Sequence, residues 1–243
     1  MRHRDAPETA GDVEVAYVQG GKLRSARGAR VVLACWNGVI PHLCPELPAA
    51  QKEALAYGVK VPLVYTHVLV RNWTAFAKLG VQAITAPGSF HSWAALDFPV
   101  SLGSYRFPSR PEDPMVLFLL RTPCRPGLPA RDQHRAGRVE LLSMPFETFE
   151  SRIHDQLGRM LSAGGFDPAR DIQAITVNRW SHGYAYEYNS LFDPRWPAEQ
   201  KPCVIGRQRF GRIAIANSDA GARAYTDAAI DQAWRAVQEL SAG

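Results

Sequence analysis

Several absences narrow this sequence before its motifs are considered. The four cysteines, Cys35, Cys44, Cys124 and Cys203, form no C-x-x-C pair and stand near no histidine at zinc-ligand spacing, so neither a zinc framework nor any other metal site is expected. Isolated buried thiols are the expected state, as in a reducing compartment. No window reaches the roughly 18 consecutive apolar residues that a spanning helix needs. The opening "MRHRDAPETAGDVEV" is charged and lacks an apolar stretch, so neither a membrane span nor an export signal is expected, and a cytoplasmic location is the default. Charge of one sign is not gathered either: 28 basic against 23 acidic residues give a net charge of +5. No run of five or six like charges occurs, and a nucleic-acid partner, which would need the arginines gathered on one face, is not expected. There is no internal repeat and no low-complexity linker, so the segments are expected to interleave in one body.

What is present fits a folded chain. With 243 residues and 46% hydrophobic content, the length suits one large domain or two small ones. Residues 13–18, "VEVAYV", alternate, "QGGK" reads as a turn, and 30–35, "RVVLAC", is a denser apolar run, together a hairpin and a buried strand. Arg24, Arg27 and Arg30 read as a solvated face. A short helix is expected over "LPAAQKEALAYG" and a long strand over residues 59–73, with an edge or bulge at Pro62. Residues 87–129 read as an irregular sheet with long loops around the apolar run "MVLFLL". Phe149, Ile153, Leu157 and Met160 or Leu161 recur at helical spacing and stop at Gly164 and Gly165, which predicts an amphipathic helix over 146–162. A strand follows over 171–180.

Three segments hold candidate chemistry. In "RIAIANSDAGARAYTDAAIDQAWRAVQEL" a buried strand, 212–216, runs through a loop carrying Asp219 into a helix that starts near Thr226. Ile230, Ala233, Val237 and Leu240 give that helix one apolar stripe. The small Ala228 and Ala229 leave its first N–H groups accessible, and the helix dipole makes them a site for negative charge. The plainer alternative is a terminal helix with Asp219 as a loop cap. In "NRWSHGYAYEYN", an extended backbone places Tyr184, Tyr186 and Tyr188 on one side and Ala185 and Glu187 on the other. Grouped rings can shape a slot for an amine, or can be sheet-core packing. His182 alone carries little information. Lys60, in "YGVKVPLVY", either snorkels or sits in a pocket.

The segments "AITVNRWSHGYAYEYN" and "RFGRIAIANSDAGARAYTDAAIDQA", with "VVLACWNGVIPHLCPELP" and "VKVPLVY" in the same order, resemble the C-terminal half of the flavin-dependent amine oxidoreductases. The nearest likeness is to the bacterial spermidine dehydrogenase-like branch, over roughly residues 12 to 240. The resemblance implies FAD as cofactor and a small-molecule amine, such as a polyamine, as substrate. By it, Asp219 would bond the ribityl chain, and Tyr225, Thr226, Asp227 and Ala228 would face the pyrimidine edge of the flavin. Lys60, Trp180 and Tyr184 would be catalytic: Lys60 through a water to flavin N5, and Trp180 and Tyr184, with Gly183, in the aromatic wall. Tyr186, Glu187 and His182 would meet substrate, and Asp193 and Asp97 are further acids available to a polyamine.

The resemblance also exposes what is missing. Family members begin with a strand, a G-x-G-x-x-G turn and a helix that hold the FAD pyrophosphate, and no such fingerprint occurs in this chain. The expected fold is therefore mixed α/β. Residues 1–40 and 200–243 would be the remaining parts of a FAD/NAD(P)-binding-type domain, and 41–199 a substrate domain with a mixed sheet and flanking helices. The function expected is an FAD-dependent oxidoreductase acting on the CH–NH group of amines, present as a C-terminal portion. The alternative is a catalytically silent remnant, or a subunit that needs a separate N-terminal FAD-binding half.

Overall fold

Alternation in the first strands and a pair of glycines start the fold. The computed structural model describes residues 1–242. Strand β2 (Val13–Gln19) pairs antiparallel with β3 (Lys22–Gly28), and Gly20 and Gly21 take φ values of +56° and +73° in the tight turn between them. That left-handed backbone suits glycine and matches the twist of a hairpin. The short β1 (Arg2–His3) pairs with β2. Strand β4 (Val31–Leu33) leads to helix α1 (Ile40–Leu43) and helix α2 (Ala49–Tyr57). Val13, Leu33, Ile40, Leu47 and Leu55 share one core.

Residues Val61–Gly183 form a unit of their own. Strands β5 (Leu63–Val70), β6 (Ala83–Thr85), β7 (Trp93–Leu96), β8 (Met115–Arg121) and β9 (Ile172–Trp180) make one sheet in the order β6-β7-β8-β5-β9. Every pairing in it is antiparallel. Helices α3 (Thr74–Leu79), α4 (Ala130–Ser143), α5 (Phe146–Leu161) and α6 (Pro168–Asp171) complete the unit. Phe149, Ile153, Leu157 and Leu161 of α5 are fully buried in a core with Val64, Val68, Leu117 and Leu119. The helical period of the sequence finds its partner face there.

The other unit joins Met1–Lys60 to the chain from Tyr184 onward. This last part contributes α7 (Pro202–Gly206), β10 (Ile213–Ile215) and α8 (Thr226–Ser241). Strand β10 pairs with β4 in parallel, Ile213 opposite Val31 and Ile215 opposite Leu33. Among the described residues, parallel pairing is confined to this unit. Helix α8 covers β10, with Ala236 and Leu240 against Ala214 and Ala216. The side-chain amide of Gln51 on α2 donates to the carbonyls of Gly206 (3.1 Å) and Gln208 (2.7 Å). Residues 41–60 therefore pack with the terminal segments, and the cuts fall after 60 and 183, where the sequence reading drew lines after 40 and 199.

Several expectations change. The described residues divide into two units, and the antiparallel sheet and the parallel pair each build a separate core. Pro62 marks neither an edge nor a bulge: β5 begins one residue after it, lies between β8 and β9, and has its irregularity at Leu69 and Val70. Proline has no N–H for the ladder, so the strand starts beyond it. Cys124 is exposed, although all four cysteines are free. In α8 only Leu240 of the expected stripe is buried; Ile230, Ala233 and Val237 face outward, and Ala228 and Ala236 face in. Helix α4 escaped the sequence reading.

One buried histidine makes the sheet unit sensitive to acid. His91 is fully buried, with Nε2 3.0 Å from Thr66 Oγ1, while Gln156 accepts from its backbone N–H (2.8 Å) and donates to its carbonyl (2.7 Å). Burial lowers its pKa from 6.5 to about 4. On acidification the unfolded chain takes up a proton near pH 6.5 and the folded chain not until about pH 4. Stability is thus complete above pH 6.5 and falls across that window, by about 3 kcal/mol for a shift of this size. Denaturant unfolding at pH 7 and pH 4 should show this loss, and His91→Gln should lack it. An identical pH dependence in both proteins would reject a neutral buried imidazole.

Candidate functional site

Parallel strands point their carboxyl ends the same way, and the loops leaving those ends meet. In the first unit these are residues 35–37 after β4 and 217–222 after β10. The side chain of Asn217 donates to the Cys35 carbonyl and accepts from the Asp219 N–H (2.6 Å). The Ala216 N–H donates to the Leu33 carbonyl (2.9 Å). These bonds hold the Asp219 carboxylate against β4: Oδ2 accepts from the Asn37 N–H at 3.0 Å, and the Lys60 ammonium stands 3.0 Å from Oδ1. The side chains of the pair are 14% and 7% exposed, respectively, so it is a buried ion pair and its geometry is consequential.

The loop that makes this cluster is strained. Asn217 has φ +77° and ψ 173°, and Ala222 has φ +49°. The first value lies in a region that is almost confined to glycine, and such a residue costs on the order of 1–3 kcal/mol. Strain that the surroundings hold in place is commonly found where a ligand is bound. The side-chain Oδ1 of Asn37 is buried and has no hydrogen-bond partner among the described residues. Asn37 and Asp219 line a cavity of about 30 Å³ with Tyr57, Tyr186, Tyr188 and Cys203. That volume admits a water-sized guest, so a larger ligand would sit beside the cavity. Burial, then the Asp219 charge, pushes the Cys35 thiol up, which makes it a poor nucleophile.

Beyond this loop α8 begins with exposed Tyr225, Thr226 and Asp227 over buried Ala228. Its N-cap, Tyr225, makes no side-chain capping bond, so the first turn keeps N–H groups for another acceptor. The Asp227 carboxylate is engaged by Arg223 at 3.2 Å, which moderates its repulsion of an anion. The Glu187 carboxylate accepts from the Ala224 N–H (2.8 Å) and so ties the aromatic segment to the approach to α8.

The tyrosines divide. Tyr186 and Tyr188 pack in a ring cluster with Tyr57 and Trp196. Tyr57 and Tyr186 both donate to Asp193, and Tyr188 accepts from the Cys203 N–H (2.9 Å). Burial raises the Tyr188 phenol. Tyr184 is exposed, and residues 181–189 form no strand, so the expected alternation does not hold there. Trp180 and His182 belong to the other unit; Trp180 is exposed and His182 Nδ1 is 3.1 Å from Ser181 Oγ. Gly183 has a packing reason: its N–H donates to the Val61 carbonyl (2.7 Å), and a Cβ there would lie 2.6 Å from that oxygen. Lys60, Asp219 and the start of α8 thus share the first unit. Asn37 was missed, and its one visible signal was its place just after a buried strand.

No family model matches the chain, and no curated relative does. Solved structures do. Cyclohexylamine oxidase from Brevibacterium oxydans superimposes with a TM-score of 0.57 at 12% identity, over 89% of this chain and 43% of that one. Putrescine oxidase bound to putrescine gives 0.53 at 13% identity, over 90% and 44%. A candidate protoporphyrinogen oxidase from Exiguobacterium gives 0.58 at 10%, over 93% and 45%. What these chains share with this one is the fold. The chain spans less than half the length of each of them, and no helix among the described residues is long and apolar enough to cross a membrane.

The ion pair makes a testable claim about stability. Asp219→Ala leaves the Lys60 ammonium and the Asn37 N–H without their acceptor and should destabilise the unit by about 3 kcal/mol. Combining Asp219→Asn with Lys60→Met removes both charges and should recover most of that loss. Urea unfolding of the three proteins decides it; equal destabilisation by the single and the double change would show that the two charges are not coupled.

Proposed function

We propose that this chain carries the redox-side portion of an FAD-dependent oxidoreductase that acts on the CH–NH group of amines. The observation that supports the reading most strongly is the position of Asp219, at the carboxyl end of a parallel strand, on a strained loop leading into a helix without a side-chain cap. The fold it shares with cyclohexylamine oxidase and putrescine oxidase is consistent with this, as is the resemblance of residues 174–189 and 209–233 to flavin-dependent amine oxidoreductases.

The residues present fit a polyol and an electron-rich ring edge. Asp219 and the buried Asn37 carbonyl are acceptors suited to ribityl hydroxyls, and the free N–H groups at Tyr225–Ala228 suit a ring edge that gains negative charge. When bound, FAD supplies the acceptor for a hydride from the carbon beside the amine nitrogen. Lys60 stands 3.0 Å from Asp219 Oδ1 and holds that carboxylate in place. Trp180, in the sheet unit, and Tyr184, in the other, each present an exposed aromatic face of the kind that can meet an amine. The resulting imine hydrolyses in water to an aldehyde and a shorter amine.

Polyamines such as spermidine are the narrower substrate class in this proposal. Their distal ammonium groups need acids, and Glu187, Asp193 and Asp97 already accept backbone or tyrosine bonds; a carboxylate has four acceptor positions, so each retains capacity. Faster turnover of spermidine than of a monoamine, in the chain complemented by a glycine-fingerprint half, is expected; equal rates would leave only the broader amine class. A second reading, a silent remnant or a subunit completed by another polypeptide, is favoured by the absence of a G-x-G-x-x-G turn.

Flavin fluorescence quenching during titration with FAD tests the assignment. Binding is expected, and Asp219→Ala should weaken it about ten- to hundredfold, the equivalent of one charge-assisted hydrogen bond. If FAD is bound neither by the chain alone nor by the chain with a glycine-fingerprint half, the flavin reading fails.

A further inference from the structure

Exposed apolar side chains gather in one loop of the sheet unit. Residues 97–114, between β7 and β8, hold no strand or helix. A stretch longer than about 15 residues without either is uncommon in a compact unit and usually has a task of its own. Phe98 and Leu102 are each 79% exposed, Val100 51% and Tyr105 50%. Single apolar residues on a surface need no explanation, but four in the short stretch from Phe98 to Tyr105 make a patch of the kind that meets a partner.

The loop is held in shape by its own bonds. Phe107 packs against the core of the sheet unit and ties one side of the loop down. Its N–H donates to Ser101 Oγ (3.1 Å), and the Tyr105 N–H donates to the Leu102 carbonyl (3.1 Å) across a turn in which Gly103 has φ +60°. Arg106 Nη1 donates to the carbonyls of Gly103 (2.8 Å) and Tyr105 (3.1 Å). The Val100 N–H meets the Phe98 carbonyl (2.7 Å), and the Phe98 N–H meets Asp97 Oδ1 (2.8 Å). A collapse of the apolar tip onto the unit would break these bonds, so the tip stays outward. Backbone groups that are already bonded also cost less to carry into an apolar medium.

The charge of the loop is of one sign. From Phe98 to Arg110 the sequence, "FPVSLGSYRFPSR", contains no Asp or Glu, and its only charged residues are Arg106 and Arg110. Asp113 engages Arg110 at 2.8 Å. Among the described residues Arg106 has carbonyl partners alone, so its charge is not neutralised and its remaining N–H groups can meet an anion. The boundary between lipid headgroups and acyl chains accommodates such a set: apolar groups enter it, and a guanidinium on a long alkyl stem reaches the phosphates. We propose that residues 98–106 are an interfacial anchor, which inserts Phe98, Val100, Leu102 and Tyr105 shallowly into a bilayer rich in anionic lipid and sets Arg106 at the phosphates. The loop rests on the membrane and does not cross it. A second copy is the less favoured occupant, because it would bring two acid-free loops together with no carboxylate for either Arg106. This inference does not depend on the flavin reading.

Flotation of the full chain with lipid vesicles tests the anchor. Binding to vesicles of phosphatidylglycerol mixed with phosphatidylcholine is expected, about tenfold or more tighter than to phosphatidylcholine alone at low salt, and weaker as salt rises. Phe98→Ser with Leu102→Ser should lower that affinity about a hundredfold. The thermal midpoint should stay in place, since both side chains face solvent. Val139→Ser with Leu142→Ser, at exposed apolar positions on α4 of the same unit, should change neither. No binding to the mixed vesicles, equal affinity for the two kinds, or a loss no greater from the loop changes than from the helix changes overturns the proposal. So does self-association that Phe98→Ser with Leu102→Ser abolishes while vesicle binding is absent, which would assign the loop to a second copy.

Discussion

The short parallel ladder between β4 and β10 is the constraint on which the candidate site depends. It joins residues far apart in the sequence, Val31 to Ile213 and Leu33 to Ile215, and by doing so sets two loops side by side at their carboxyl ends. Without that register Asn217 could not reach the Cys35 carbonyl, and the Asp219 carboxylate would not meet the Asn37 N–H. The buried pair with Lys60 follows from the same placement. A buried carboxylate needs an opposite charge and hydrogen bonds at once, and the loop strain at Asn217 is tolerated because several bonds converge on it.

The fold was largely legible where a local pattern determines a local element. The glycine turn at 20–21, the α5 period through Phe149, Ile153 and Leu157, and the apolar run that becomes β8 each encode their structure within a few residues. What could not be read is what depends on distant partners. The division after residue 60 follows from Gln51 reaching Gly206 and Gln208, a contact with no local signature. Pro62 stops a ladder that the β-branched run on its own suggested was longer.

At the candidate site the sequence singles out residues without showing their pairings. Asp219 and Lys60 stood out separately, one as a loop acid and one as a lysine in apolar surroundings; their ion pair required the β4–β10 register. Glu187 stood out as an acid available to a substrate and is in the structure a brace for the Ala224 N–H. Tyr186 and Asp193 likewise bind each other. Asn37 escaped notice because nothing in "ACWNGVIP" distinguishes a buried unpartnered amide from an ordinary loop residue.

The reversal of α8 has a general physical cause. The apolar arc of that helix is broad, running from Ala236 and Leu240 round to Ile230 and Trp234, and its bulkier part looks like the core side. Ala214 on β10 and Ala216 just after it are small, however, and a helix approaches such a strand closely with a small residue of its own, Ala236. Close approach buries backbone as well as side chains and fills space that bulkier groups would leave as voids. The bulky residues are thereby directed to the opposite side, where Ile230, Trp234 and Val237 meet water. Since such residues gain from burial on the order of 1.5–3 kcal/mol each, the face that the fold leaves open is also the one with most to gain from a partner.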